Sequence, residues 1–479
     1  MIRIIAIALS LTFLSLQGFS SPLSVEVPND LWPQWLRLFQ THPLPAGVQA
    51  IRSQPESEPG WDRVILSLET VGKVIGFMPM VPVATLGHEQ SLVTLDEVTQ
   101  GKIQVLPLCD VSLPQVALPL EGLLPDEPGY PLFQKVAVRL ESSSPELQAW
   151  YSNIVEQVHP PSGREAGITW IEAVGDIMPA RGVDRTLLSD GGLERVFGNT
   201  LPVLRAADLV LGNLESSAAQ GGQPENKSYT FRFRGAAVQK LRDAGFSYLS
   251  LANNHTFDFG AEGFLQTLAA LTDSGVLTSG AGRNLQQASE PSIFRLADQE
   301  VRVLSFGAFP ADKTGFDGRI SEKVGDNRPG ILWLDEQGLA VADHAFQASS
   351  FNIAFVHGGQ EWRTTPTPEQ KELYRDLIRH GATLVLGAHP HVLQGMEAFQ
   401  GGLIVYSLGN FLFPGMDGTP GGQDSIIVRL GLYEGSVRYV QAIPVHLNGA
   451  TVRKAQDDSA LKDMMARTRA LEEVSAKAN

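Results

Sequence analysis

The chain has 479 residues, 43% hydrophobic and 19% charged: enough apolar material for two or three packed domains and too little charge for global disorder. Its 37 basic and 52 acidic residues leave a formal net charge of −15, which repels phosphate backbones and argues against nucleic acid as a partner. One cysteine, Cys109, excludes an internal disulfide framework and a four-thiolate zinc site, so the ten histidines are the soft ligands available in quantity.

Arg3 is followed by a largely apolar run from Ile4 to Leu16 and then by Gly18, Ser20 and Ser21. Thirteen residues are short for a membrane span, and the pattern predicts a signal peptide over 1–21. An uncleaved anchor is the alternative, and with no cysteine at the cleavage point a lipoprotein is not expected. The mature protein is therefore expected to be exported, to a periplasm or a cell surface. Residues 1–165 hold 9 basic and 17 acidic residues, about half of the excess acid, and are rich in proline. We assign 22–160 to a small N-terminal α/β domain, and the turn-rich stretch VHPPSGR (158–164) marks a boundary.

From 166 to 450 the chain alternates strand and helix patterns. Apolar runs recur at Ile168–Val174, Leu209–Leu211, Tyr248–Leu251, Asn352–Val356, Thr383–Leu386 and Leu403–Tyr406. Helical patterns at Ala236–Ala244, Gly263–Asp273 and Thr367–His380 lie between them, the last opened by Thr367-Pro368 and closed by Gly381. The alternation predicts an α/β layered fold. A C-terminal tail, 451–479, reads as one polar helix over 458–476.

Each apolar run ends in polar, metal-competent residues. They are Asp176; Asn213 and Glu215; Asn253, Asn254 and His255; His357; His389 and His391; and Ser407 and Asn410. Ligands of α/β sheets bind outside the carboxyl ends of strands, so these six tips are expected to converge. Oxygen and imidazole donors suit Mn, Fe, Zn or Mg. Taken singly, Asp176 also reads as a helix cap and Asn213 and Asn254 as turn formers.

The ordered motifs GDIMPAR (175–181), GNLES (212–216), ANNHTFDFG (252–260), HGGQEW (357–362), GAHPHVLQG (387–395) and YSLGNFLF (406–413) resemble the CapA family of bacterial capsule synthesis proteins. That family is associated with poly-γ-glutamate biosynthesis and resembles a branch of the calcineurin-like metallophosphoesterases. The resemblance implies a layered α/β metallophosphoesterase sandwich holding one or two divalent metal ions. It implies Asp176, Glu215, Asn254, His357, His389 and His391 as metal ligands, and His255 as general acid or transition-state stabiliser. Arg181 and Arg234 would hold an anionic group. Met178 stands where the superfamily has a ligand histidine. The segments Gly76–Val83, Leu92–Val105 and Gly129–Val138 resemble one lobe of a phosphate-type periplasmic binding protein, with a packing domain as the alternative. The resemblance implies a metal-dependent hydrolase acting on an anionic ester or amide, with an anionic polymer or phosphoester and other capsule-synthesis proteins as partners. A non-catalytic surface protein that guides an acidic polymer is the alternative, and a solute-binding sensor a third.

Overall fold

The computed structural model describes strands at 24–27, 49–52 and 63–67 and then residues 73–88, 93–127, 130–141, 145–157, 167–297 and 299–478; the expected signal peptide and the 158–164 linker lie outside the described residues. Among them no helix is long and apolar enough to cross a membrane. The chain forms two compact units, one of residues 1–83, 91–111 and 118–167, the other of 84–90, 112–117 and 168–479.

The first unit is built on a mixed sheet. Ser24–Val27 runs parallel to Gln49–Arg52 and Arg63–Ser67, while Phe133–Glu141 pairs antiparallel with both Arg63–Ser67 and Lys73–Thr85. The helix Leu95–Thr99 begins with a reciprocal cap, in which the Thr94 hydroxyl accepts from the Glu97 N–H and the Glu97 carboxylate accepts from the Thr94 N–H. Buried Tyr130 donates its hydroxyl to the Met80 carbonyl at 2.7 Å.

The second unit carries two large sheets and a small two-stranded one of Ala281–Gly282 and Gly330–Ile331. In the first, β1 (Thr169–Ile177) lies parallel to β2 (Leu209–Leu214), which pairs in parallel with β3 (Tyr248–Ser250). In the second, β4 (Gln299–Ala308), β5 (Phe351–Gly358), β6 (Leu384–Ala388) and β7 (Gly402–Val405) run parallel. Short β8 (Asn410–Leu412) joins β1 in parallel, and the antiparallel hairpin of β9 (Asp424–Tyr433) and β10 (Ser436–Asn448) extends the first sheet.

Three buried apolar layers follow from this topology. Ile171, Leu209 and Leu211 of the first sheet face Ile353, Phe355, Leu386 and Val405 of the second. The far side of the first sheet is covered by α1 (Ala237–Ala244) and α2 (Gly260–Asp273), through Val238, Leu241, Phe264 and Leu268. The far side of the second is covered by α3 (Glu336–Ala345) and α4 (Pro368–Arg379), through Ala342, Tyr374 and Leu377. The unit is thus a helix–sheet–sheet–helix sandwich, and each expected apolar run forms a strand. Strands covered on both faces read as continuous apolar runs, which is why they were visible. Less visible was β4, whose Glu300 and Arg302 pair with each other near its open end at 2.8 Å. The expected C-terminal helix spans Ser459–Ala478.

Candidate metal centre

The parallel strands aim one end at a common point. Asp176 is the penultimate residue of β1, Asn213 that of β2 and His357 that of β5, while Glu215 directly follows β2. Strand β8 closes against β1, with the Asp176 N–H donating to the Gly409 carbonyl at 3.0 Å. Only glycine at 175 allows that approach, because a Cβ there would stand 1.9 Å from the same oxygen. The turn after β6 is strained: His389 has φ 96° and His391 φ 58°. Arg181 (φ 52°) and Trp362 (φ 64°) also occupy the left-handed region. Such conformations cost about 1–3 kcal/mol each and persist where the surroundings over-determine them. Here the Asn410 amide donates to the His391 carbonyl at 3.1 Å, and the Trp362 N–H donates to the Pro390 carbonyl at 2.9 Å.

Donor atoms crowd around two centres. His357 Nε2 lies 2.8 Å from Asn254 Oδ1, 3.1 Å from His389 Nδ1 and 3.9 Å from Glu215 Oε1. His391 Nδ1 lies 3.1 Å from Asp176 Oδ2, and its Nε2 lies 3.8 Å from Glu215 Oε1. His255 Nε2 is 3.9 Å from that same oxygen. Ligands about 2.1 Å from one metal lie about 3.0–3.4 Å apart when adjacent and about 4.2 Å apart when opposed, so these separations suit coordination. Among the described residues, Asp176, Glu215 and His357 form a group that could hold a metal ion, their ligand atoms all within 4.8 Å of one another. Both Glu215 oxygens and His389 Nε2 are buried without a hydrogen-bond partner. Leaving such atoms unpaired is expensive, which favours a bound ion as their partner. The residues present therefore fit a divalent cation, which Asp176, Glu215 and His357, with Asn254, His389 and His391 beside them, would hold.

The electrostatics agree. Burial and the adjacent Asp176 carboxylate push Glu215 well above the usual carboxylate range. Burial and the neighbouring imidazoles hold His357 well below its ordinary value and bring His389 down to about 3, while burial also lowers His255. Burial opposes a charge on His391 too, but its hydrogen bond to Asp176 and that carboxylate's charge outweigh it and raise the imidazole. Neutral imidazoles are the form that binds metals. Among the described residues, no lysine or arginine pairs with Asp176 or Glu215.

A second buried cluster adjoins this one. His255 Nδ1 lies 2.8 Å from Asp258, which accepts from Lys227 Nζ at 2.8 Å and from the Phe231 N–H at 2.6 Å. Lys227 also donates to the Asn254 carbonyl and sits 3.6 Å from Glu322. These groups fix the His255 ring, with Nε2 facing Glu215. Asn213 plays the matching part for the metal-side residues: its amide nitrogen donates to Asp176 Oδ1 at 2.8 Å and reaches His357 Nδ1 at 3.1 Å. Its oxygen accepts from Asn253 at 3.0 Å. Asn410 Oδ1 lies 2.9 Å from His391 Nδ1.

The structure therefore brings together Asp176, Glu215, Asn254, His255, His357, His389 and His391. Arg181 lies at the margin, its guanidinium 5.0 Å from the Phe231 ring centre and hydrogen-bonded to the Pro414 carbonyl at 2.7 Å. The expectation for Arg234 is corrected: its half-exposed guanidinium pairs with Asp184 at 3.0 Å instead of joining the cluster. The two-residue period of FRFR buries Phe231 and Phe233 and turns Arg232 and Arg234 outward. Met178 is fully buried in the apolar layer under α1 and α2. Sequence reasoning missed Lys227 and Glu322 and gave Asp258 no role; the His255-x-x-Asp258 spacing was the one available signal. Asn213 and Asn410 stand among the tip residues expected to converge, Asn213 taken singly reading as a turn former, and neither is among the ligands that the resemblance implies.

A cleft of about 570 Å³ opens over the cluster, lined by Asn254, His255 and His389 below and by Lys227, Tyr229 and Trp362 around it.

Fold and site together define a layered α/β protein with a candidate metal centre at its strand tips. The chain belongs to the bacterial capsule synthesis protein PGA_cap family, whose model matches residues 171–415. It is similar to the PGA biosynthesis protein CapA of Bacillus subtilis (strain 168), 29% identical over 289 residues that cover 60% of this chain and 73% of that protein. It is also similar to the capsule biosynthesis protein CapA of Bacillus anthracis, 30% identical over 311 residues that cover 63% of this chain and 73% of that protein. Among solved structures, the Thermus thermophilus sulfate thiohydrolase SoxB aligns at 14% identity and a TM-score of 0.32, over 60% of this chain and 47% of that one. That likeness is too loose to bear on the fold.

Proposed function

We propose that this protein is an exported, divalent-metal-dependent hydrolase that acts on an anionic ester or amide during capsule or poly-γ-glutamate biosynthesis. The observation that carries the reading is the Asp176–Glu215 pair: two fully buried carboxylates among four imidazoles, with no lysine or arginine paired to them among the described residues. The names of the two Bacillus relatives supply the biosynthetic setting. A bound divalent ion would polarise the scissile centre and lower the pKa of its water toward neutrality. His255, oriented by Asp258, faces the same centre, and once protonated it would pass a proton to the leaving group, worth about 10²–10⁴ in rate. Arg181 and Lys313 border the site and complement an anionic ligand. The first unit is proposed as a lobe resembling those of periplasmic binding proteins, and other capsule-synthesis proteins at the membrane as partners.

The test is metal content and phosphodiesterase turnover of the purified protein. Asp176→Ala and His389→Ala are expected to lose metal and turnover together; unchanged metal content in both would overturn the site. Met178, which stands buried in the apolar layer at the position where the resembled superfamily has a ligand histidine, favours a second reading, a polymer-guiding protein without turnover. Polymer binding that survives EDTA and His255→Ala would support that alternative.

A further inference from the structure

We infer that the cleft takes a ligand that carries a ring, which stacks on one of the two open aromatic faces lining it, Tyr229 or Trp362, beside the candidate metal centre. This rests on the metal-centre reading above and adds what the rest of the ligand must present.

A row of rings crosses the site. Tyr229 stacks on Phe231, with centroids 6.4 Å apart and planes 14° apart, and Phe231 meets Phe413 edge-on at 5.6 Å. Phe413 lies 5.1 Å from the His391 ring, and His391 lies 5.4 Å from Trp362. The inner members are buried, and Phe231 also covers His255 at 4.4 Å. Only the two ends are open: Tyr229 is 65% exposed and Trp362 43% exposed. Both open ends line the cleft that has Asn254, His255 and His389 in its floor.

Single exposed aromatic side chains need no explanation, but two that end one ring row at one cleft are a different case. Trp362 adds an independent observation. A bulky residue at φ 64° is a backbone outlier, and outliers of this kind gather at ligand clamps. Glycine at 422 clears room for the indole, since a Cβ there would stand 3.3 Å from its ring. The Arg181 guanidinium, 6.0 Å from the Tyr229 ring centre, adds a positive charge at that ring. Flat faces of this kind recognise flat faces, an aryl ring or the C–H face of a sugar. An acyclic chain, such as a run of glutamate units, has no such face to offer. The ligand class is therefore an anionic ester whose alcohol carries a ring.

The experiment compares phenyl phosphate, glucose 1-phosphate and acyclic glycerol 3-phosphate on the full-length, metal-loaded protein. At least one of Tyr229→Ala and Trp362→Ala is expected to raise KM for a ring-bearing ester about 3- to 10-fold. The acyclic ester should change less than about twofold, metal content should hold, and Trp362→Phe should restore the preference. Phenyl against glucosyl shows which kind of ring the faces select. Dissociation constants of the same three esters read the preference without turnover. Absent turnover with an intact ring preference in binding would sink only the hydrolase reading. Equal losses for ring and acyclic esters, or equal or absent binding of all three, would overturn the ring site.

Discussion

Two buried ionic clusters lie side by side in the second unit, and they balance their charge differently. In one, Asp258 and Glu322 flank the ammonium of Lys227, which also sits 4.1 Å from the Phe316 ring centre. In the other, Asp176 and Glu215 have four imidazoles around them and no lysine or arginine among the described residues, and three of those imidazoles are pushed toward neutrality. Burying an unpaired carboxylate is costly enough that a chain supplies a cation or the group gives up its charge. The first cluster contains its own cation. The second could hold a metal ion in that place, and on the proposed reading this difference would separate a structural cluster from a reaction centre.

The contrast is broken most forcefully at its centre. Glu215→Ala removes the carboxylate that lies 3.8–3.9 Å from His255, His357 and His391, and metal-assisted turnover should fall by about 10³-fold or more as several kcal/mol of charge stabilisation disappear. Elemental analysis should show the metal lost with it. Lys227→Met is the opposite experiment. It strands Asp258 and should destabilise the unit by about 3–5 kcal/mol, by the same amount with and without EDTA, as read by denaturant unfolding. A loss that appears only in metal-loaded protein would show that the two clusters are one.

Asp258→Asn probes the seam between them. It keeps the shape but removes the charge that orients His255, so turnover should drop about 10- to 100-fold while metal content holds. The smallest effect is the pH response of Glu322, which burial raises to about 8. A carboxyl whose folded value lies above its ordinary 4.5 binds more protons in the native state. Its contribution is complete below that ordinary value and is lost as pH rises through about 8. Glu322→Gln should flatten this decline, so its Tm gains on the wild type between about pH 5 and pH 9 in thermal melts.

Much of this was legible in the amino-acid order. Strands buried on both faces announced themselves as apolar runs, and Asp176, His357 and the His389–His391 turn stand at their ends, where backbone direction alone aims them together. What stayed hidden depended on contacts between distant segments. Lys227 reaches Asp258 across 31 residues, and Asn213 reaches His357 across 144. An asparagine that steers two ligands reads in sequence like one that makes a turn. Arg234 failed for a similar reason: a basic residue near a motif looked available for an anion, yet Asp184, 50 residues earlier, takes its guanidinium. The alternation of Phe231 and Phe233 with the two arginines would have shown its outward direction.

Elemental mass spectrometry of the purified full-length protein, with thermal melts before and after chelation, tests the central claim most directly. The account predicts one or two divalent ions per chain, a Tm that falls on chelation and recovers on adding Mn or Zn, and neither response in Glu215→Ala. A protein that purifies without metal and melts at the same temperature whether or not divalent ions are added would contradict it.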